Sequence, residues 1–280
     1  MDNPFEVKEK KFWSIRVVPK FLLRGIPRIC TMICGYIIVF LLALFMNQKN
    51  LNYQHWLLKW SCRIKLWLCG YKNIQISKED LLKIKNTDAQ VIFSKHSSYI
   101  DIGMLCFLMP DVKFVTSSYV QNIPIINRFG KYSCIYLESE FGGNSLTEKI
   151  QKEIDNGYKV LFFGEGVCSR SDHLLKLRNG MFVPKKKILP IHIEYEEQNN
   201  WVMGEQDMIQ HFFQQLSNFK NKVKVRVLDE YDPNEEEKND LEKFKENFRD
   251  YYCKNLGLIK SKKSYQDHTF YKLKIDKKST

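Results

Sequence analysis

Residues 29–46 read ICTMICGYIIVFLLALFM, 18 residues without a charge. A stretch this long and apolar is near the minimum that spans the hydrocarbon core of a bilayer as a helix, so this segment belongs in a membrane. Lys8, Lys10, Lys11, Arg16, Lys20, Arg24 and Arg28 precede it. That cationic lead fits a cytosolic N-terminal flank. It is long for a signal peptide, and no small-x-small cleavage site follows Met46.

The next stretch, LNYQHWLLKWSCRIKLWLCG, sets Trp56, Trp60, Ile64 and Trp67 on one helical stripe, with Lys59 and Arg63 on another side. Tryptophan favours the headgroup boundary and the cations favour anionic lipid, so the pattern predicts an interfacial helix over 51–69. A core-facing helix has the same periodicity. Basic residues flank the apolar segment on both sides, which leaves a single crossing and a re-entrant helix pair both open.

The formal net charge of +12 asks for an anionic partner or surface. Beside a membrane segment that partner is a lipid bilayer; nucleic acid and a protein partner are not expected. The eight cysteines are scattered, with no C-x-x-C and no Cys/His cluster at zinc spacing. Most of them are expected to be reduced thiols in a cytosolic redox environment, with no metal site.

Beyond Gly70 the chain alternates strand-like and helix-like runs. YKNIQIS, AQVIFS, DVKFVTSS, CIYLES, KVLFFG, KILPIHIEY and KVKVRVLDEY are the strand candidates. SLTEKIQKEIDNG is the clearest helix, with a capping-box pattern at Ser145 and Glu148, an apolar stripe at Leu146, Ile150 and Ile154, and a stop at Gly157. A last helix from near Asp240 shows Leu241, Phe244, Phe248 and Tyr251 at helical spacing and ends at Gly257. The alternation predicts an α/β domain with a mixed sheet flanked by helices. The expected organisation is a membrane-anchoring region over 1–70, the α/β domain over 71–257, and a basic tail over 258–280.

Three stretches carry candidate chemistry. In SKHSSYIDIG, His96 follows a strand and Asp101 lies about one turn further on, where it can hold one imidazole nitrogen and leave the other free to take a proton. In VLFFGEGVCSRSD, Gly164 and Gly166 let the backbone approach a ligand, Glu165 is ionisable at a strand end, and Cys168 offers a rival nucleophile. In LLKLRNGMFVPKKKILPIHIEY, Arg178 and the lysines Lys176 and Lys185 to Lys187 are cations that can hold a phosphate. His192, inside a strand, reads as structural. G-x-S-x-G, Walker A and G-x-G-x-x-G patterns are absent.

Taken in order, these blocks resemble the four motifs of the glycerolipid acyltransferase family. HSSYID is similar to its H-x4-D motif, and GKYSCIYLES ahead of FGGN stands where its second, acceptor-binding motif falls. FGEGVCS resembles its F-P-E-G-T block and ILPIHI its last, proline-bearing strand. Cys168, the stretch from NWVMGEQDM to KNLGL, and the opening NPF resemble the lysophosphatidylcholine and lysophosphatidylethanolamine acyltransferase branch. The departures are Glu138 followed by Ser139 where phosphatidate-forming relatives have an acid and an arginine, Gly164 for proline, and Val167 for threonine, with Ser169 the nearest hydroxyl.

The resemblance implies a membrane-bound enzyme that moves an acyl group from acyl-CoA, as co-substrate and with no cofactor, to the free sn-2 hydroxyl of a lysophospholipid. His96 and Asp101 would be catalytic, and Glu138, Glu165, Gly166, Cys168, Ser169 and Arg178 would line the substrate site. The alternatives are a phosphatidate-forming 1-acylglycerol-3-phosphate acyltransferase and a catalytically silent membrane adaptor. The expected location is the endoplasmic reticulum with the site facing the cytosol, or the inner membrane of a bacterium.

Overall fold

The computed structural model describes residues 3–5, 17–45, 50–118, 122, 129–130, 132–137, 144–196, 199–202 and 207–268. Helix α1, Val18–Ala43, has 26 residues and a mean hydropathy of 2.1, and is the one helix among the described residues long and apolar enough to cross a membrane. It begins earlier than the uncharged run, so Lys20, Arg24 and Arg28 lie within the helix. Its Phe21–Gly25 turn is π-helical, immediately ahead of Pro27. Proline has no N–H to give the preceding turn, and a widened turn is one way a helix accommodates it. Arg28 donates to the carbonyls of Leu216 (2.6 Å) and Asn218 (2.6 Å), which fastens α1 to the soluble part of the fold.

Helix α2, Leu51–Leu68, starts at Asn50, whose side chain accepts from the Tyr53 N–H. It has two apolar faces. Leu57, Leu58, Cys62 and Leu66 are buried in the main core, whereas Trp56, Trp60, Ile64 and Trp67 are each about half exposed. The tryptophan stripe therefore faces away from the core. Tyr53 donates to the Leu42 carbonyl (3.0 Å), which joins α2 to α1, and most large apolar side chains exposed on the described residues belong to these two helices.

A seven-stranded sheet follows. In chain order its strands are β1 (Ile74–Gln75), β2 (Val91–Ser94), β3 (Lys113–Ser117), β4 (Cys134–Leu137), β5 (Val160–Phe162), β7 (Ile188–Tyr195) and β8 (Val223–Val227). Their order across the sheet is β1-β8-β7-β2-β5-β3-β4. Each corresponds to one of the seven strand-like runs. Only the β7–β8 pair is antiparallel, so the sheet is mixed as expected. Strand β2 lies between β5 and β7 and is parallel to both. Alternate residues serve opposite faces: Ile92 and Leu161 pack towards α2 and α4 (Ile100–Leu108), while Val91, Phe93, Val160 and Phe162 pack towards the helices on the other side.

Those helices are α5 (Asn144–Asp155) and α8 (Leu241–Leu256); α3 (Lys78–Asn86), α6 (Met208–Ser217) and α7 (Glu235–Asn239) are further helices among the described residues. Ile150 and Ile154 of α5 are buried as predicted, and Gly157 beyond it has φ +84°. In α8 the fully buried stripe is Phe244, Phe248 and Tyr252, so Tyr252 takes the place that the spacing gave to Tyr251. Gly257, at φ +68°, ends α8 in a left-handed turn open to a residue without Cβ strain.

A second, two-stranded sheet pairs β6 (His173–Leu174) with β9 (Ile259–Lys260), and it was not foreseen from the sequence. The segment from 258 was expected to be a tail, yet it is docked as far as His268. Ser261 and His268 are buried, and Arg249, itself buried, donates to the Ser261 carbonyl (2.6 Å). Residues 3–5 reach the same place: Phe5 is buried with Val167, Leu175 and Val202, and Lys263 Nζ donates to Asn3 Oδ1 (3.1 Å).

Candidate active site

Strands β2 and β5 are neighbours and parallel, so the loops that leave their C-terminal ends lie side by side. The first loop carries Lys95 and His96 and runs into α4; the second carries Gly164 to Arg170. Side chains far apart in sequence meet there for that reason.

Asp101 sits in the first turn of α4 and is fully buried. Its Oδ2 accepts from the N–H groups of Ser97 (2.7 Å) and Ser98 (2.9 Å) and meets His96 Nδ1 at 2.8 Å. The five-residue spacing places the carboxylate at the helix N-terminus, where its charge is favoured, and one oxygen then holds both the turn and the imidazole. With Nδ1–H donated to Asp101, Nε2 is the nitrogen left for a substrate proton, and the Cys168 thiol also hydrogen-bonds the side chain. The imidazole stacks on the Phe163 ring, with centroids 4.1 Å apart and planes 22° apart. It is 17% exposed at its side chain, enough to meet a substrate at one edge.

Burial disfavours the imidazolium, but the Cys168 thiol beside the ring and the Asp101 carboxylate outweigh it, and the His96 pKa is pushed up to about 10. Cys168 acts by charge only as a thiolate; Asp101 acts in either case. Behind Asp101, the buried Tyr71 and Tyr195 rings meet edge to face at 5.8 Å. Burial first keeps both phenols neutral, with the Asp101 charge next for Tyr195 and Cys69 next for Tyr71. Asp101 Oδ1 and both hydroxyls are buried without a hydrogen-bond partner among the described residues.

The second loop turns at Gly164 and Gly166. A Cβ on Gly164 would stand 2.9 Å from Met181 Sδ and from the Phe93 ring, so only glycine fits where the related motif has proline. Gly166 has φ +75°, and its Cα lies beneath the Arg178 side chain, 2.9 Å from where a Cβ would be. Arg178 is held there between Gly166 and the Tyr265 ring, 4.8 Å from its guanidinium carbon. The loop also binds the first one directly, because the Ser169 N–H donates to the His96 carbonyl (2.9 Å).

Glu165, assigned by resemblance to the substrate site, is instead fully buried. Its Oε2 accepts from the His96 N–H (3.2 Å) and its Oε1 from Ser169 Oγ (3.0 Å) and the Leu175 N–H (2.9 Å). Ser169 is equally interior. Both brace the two loops against each other. Cys168 is buried against His96, and Gly166 and Arg178 stand at the loop surface. Glu138 lies outside the described residues, one position beyond the end of β4.

The lysine triplet is not part of this site. Lys187 precedes β7, at the opposite end of the sheet from His96, and pairs with Asp88 (3.3 Å) and Glu230 (3.4 Å). His192 in β7 meets the Tyr252 hydroxyl through Nδ1 (3.0 Å), and Tyr252 donates onward to the Ile191 carbonyl (3.1 Å). Burial, with Lys95 and Arg226 nearby, holds its pKa down to about 3, so it is a neutral core histidine. Lys95 was missed by reading the sequence. It is 0% exposed and adjoins His96, and nothing in its sequence context distinguishes it from a surface lysine.

A family model described as Acyltransferase matches residues 74–194, which contain His96, Asp101 and Glu165. A lysophosphatidylcholine acyltransferase of Drosophila melanogaster is 25% identical over 187 residues, covering 63% of this chain and 35% of that protein. A lysophospholipid acyltransferase of Arabidopsis thaliana is 27% identical over 191 residues, covering 64% and 48% respectively. The chain thus spans less than half the length of these curated relatives. The crystal structure of a 1-acyl-sn-glycerophosphate acyltransferase from Thermotoga maritima has the same fold, with a TM-score of 0.58 at 18% identity over 89% of this chain and 99% of that one. The matched domain and the named relatives thus support a place in the glycerolipid acyltransferase family, on the side of its lysophosphatidylcholine acyltransferase branch.

Proposed function

We propose that this protein is a membrane-bound acyl-CoA:lysophospholipid O-acyltransferase, and that it acylates the free sn-2 hydroxyl of a choline or ethanolamine lysophospholipid. The observation that carries the reading is the His96–Asp101 pair, bonded at 2.8 Å at the C-terminal end of the sheet. His96 Nε2 takes the proton of the acceptor hydroxyl as its oxygen attacks the thioester carbonyl of acyl-CoA. The tetrahedral adduct collapses with cleavage of the C–S bond, and the imidazolium returns the proton to the departing CoA sulfur. Asp101 positions the ring and favours its transient charge. Thioester and hydroxyl become ester and free thiol, with no net gain or loss of protons.

The exposed tryptophan stripe of α2 and the apolar surface of α1 support a site at the bilayer, where both acyl chains reside. Head-group choice follows the names of the sequence relatives, and an endoplasmic reticulum location with the site on the cytosolic side follows from the same branch.

Replacement of His96 by Ala is expected to lower kcat by roughly a hundredfold or more while membrane insertion is kept. The measurement is acyl transfer from labelled acyl-CoA to lysophosphatidylcholine, lysophosphatidylethanolamine and lysophosphatidate in competition. Near-normal turnover by the variant would refute the general-base role, and exclusive use of lysophosphatidate would replace the acceptor assignment.

A further inference from the structure

A lysine with no exposed surface is rare, because burying an ammonium without partners is prohibitively costly. Lys95 is 0% exposed and directly precedes His96. Its Nζ donates to Ser169 Oγ (2.8 Å), the Ser169 carbonyl (3.2 Å) and Ser97 Oγ (3.3 Å), and lies 3.5 Å from Glu165 Oε2. An ammonium has three N–H donors, and these acceptors engage them all. That saturation argues against a role as a nucleophile or a phosphate ligand.

The partners of Lys95 straddle the proposed chemistry. Ser97 follows His96, and Ser169 follows Cys168. The His96 backbone is gripped from both sides by the same loop, its N–H by Glu165 Oε2 and its carbonyl by the Ser169 N–H. Glu165 is a buried carboxyl group that accepts from three donors, and a cation beside it offsets the cost of burying it. Lys95 is the only cation that closes this ring of bonds among the described residues.

We propose that Lys95 is a positioning residue: its ammonium cross-links the His96 segment to the Glu165–Ser169 loop, pairs with Glu165, and so holds the imidazole where it accepts the substrate proton. The proposal rests on the acyl-transfer reading above for its kinetic consequence. Its structural consequence stands apart from that reading.

Lys95→Met keeps the length of the side chain and removes the charge. Glu165 is then buried without its cation, the bonds between the two loops weaken, and His96 shifts. The titratable groups that face this pair are His96 and Cys168 at the loop ends, His192 on β7, and Tyr252 and Cys253 on α8. Of these only His96 can carry a positive charge at neutral pH, and its ring is committed to Asp101 rather than to Glu165.

The test compares wild type, K95M, E165Q and K95M/E165Q, full length in detergent or nanodiscs, by kcat, KM for acyl-CoA and thermal melting. The expected result is a fall in kcat of thirtyfold or more for K95M with KM changed less than threefold. The double variant should melt above K95M and recover at least fivefold in kcat. Wild-type kcat in K95M, or a double variant no better than K95M in both melting and rate, would overturn the proposal; so would a rise in KM for acyl-CoA as the main effect. If wild type transferred no acyl group to any lysophospholipid, the functional reading would fail. The melting series alone would then decide the cross-link.

Discussion

Asp101 Oδ2 receives three hydrogen bonds at once, and one of them fixes the His96 ring. The raised His96 pKa has a direct kinetic consequence. A general base must be neutral, so the rate rises as pH climbs through the pKa of the imidazole, and a raised pKa moves that rise upward. The acid limb of kcat/KM in the free enzyme is therefore expected above the ordinary histidine range, towards the value of about 10. Cys168→Ala removes the thiol and leaves Asp101, so the limb should move down towards 6.5 with turnover retained. A pH series on both proteins measures it. An unmoved limb would show that the thiol does not bear on His96, and a folded but inactive variant would point to Cys168 as the nucleophile. The pair itself was legible in the sequence because its spacing is local: the carboxylate must come within about a turn of the imidazole. Lys95 and the interior position of Glu165 were not, because burial at a loop end depends on two distant strands becoming neighbours.

Helix α2 shows the same limit at the scale of an element. Periodicity showed that Trp56, Trp60, Ile64 and Trp67 share a stripe, but an apolar stripe alone does not say whether it meets protein or lipid. The structure fills the core with the other face, through Leu57, Leu58, Cys62 and Leu66, and leaves the tryptophan stripe exposed. Two substitutions three residues apart separate the faces. Leu57→Ala should cost about 2–5 kcal/mol of stability, as a fully buried leucine does. Trp60→Ala should change stability by less than about 0.5 kcal/mol, because its side chain makes no core. Denaturation in detergent checks this, and quenching of tryptophan emission by brominated lipids should fall in Trp60→Ala and not in Leu57→Ala. Equal destabilisation by both would mean the stripe is packed against protein. The seven strands of the main sheet were legible from apolar runs bounded by turn residues. The two-residue strands β6 and β9 have no such run, and only tertiary contact makes them pair.

At the scale of the whole molecule, residues distant in sequence converge behind the Gly164–Arg170 loop. The Arg170 N–H donates to the Pro4 carbonyl (2.9 Å), and Phe5 packs with Val167 and Leu175 of the loop region, with Val202, and with Tyr265. Its ring meets His268 edge to face at 4.8 Å and carries Lys263 Nζ 5.8 Å from its centroid. This cluster is separate from the two cores on either face of the sheet, so its loss should loosen the loop without unfolding the domain. The loop that it supports also holds the His96 carbonyl through Ser169, and a loosened loop relaxes the imidazole. Phe5→Ala is therefore expected to lower kcat several-fold, with a melting temperature within a few degrees of wild type, and Phe5→Leu to restore most of the rate by refilling the pocket. Amide exchange should accelerate at Val167, Cys168 and Arg170 in the alanine variant, while the strands β2 and β5 keep their protection. Unchanged exchange at those three amides would show that Phe5 does not support the loop, whatever happens to the rate.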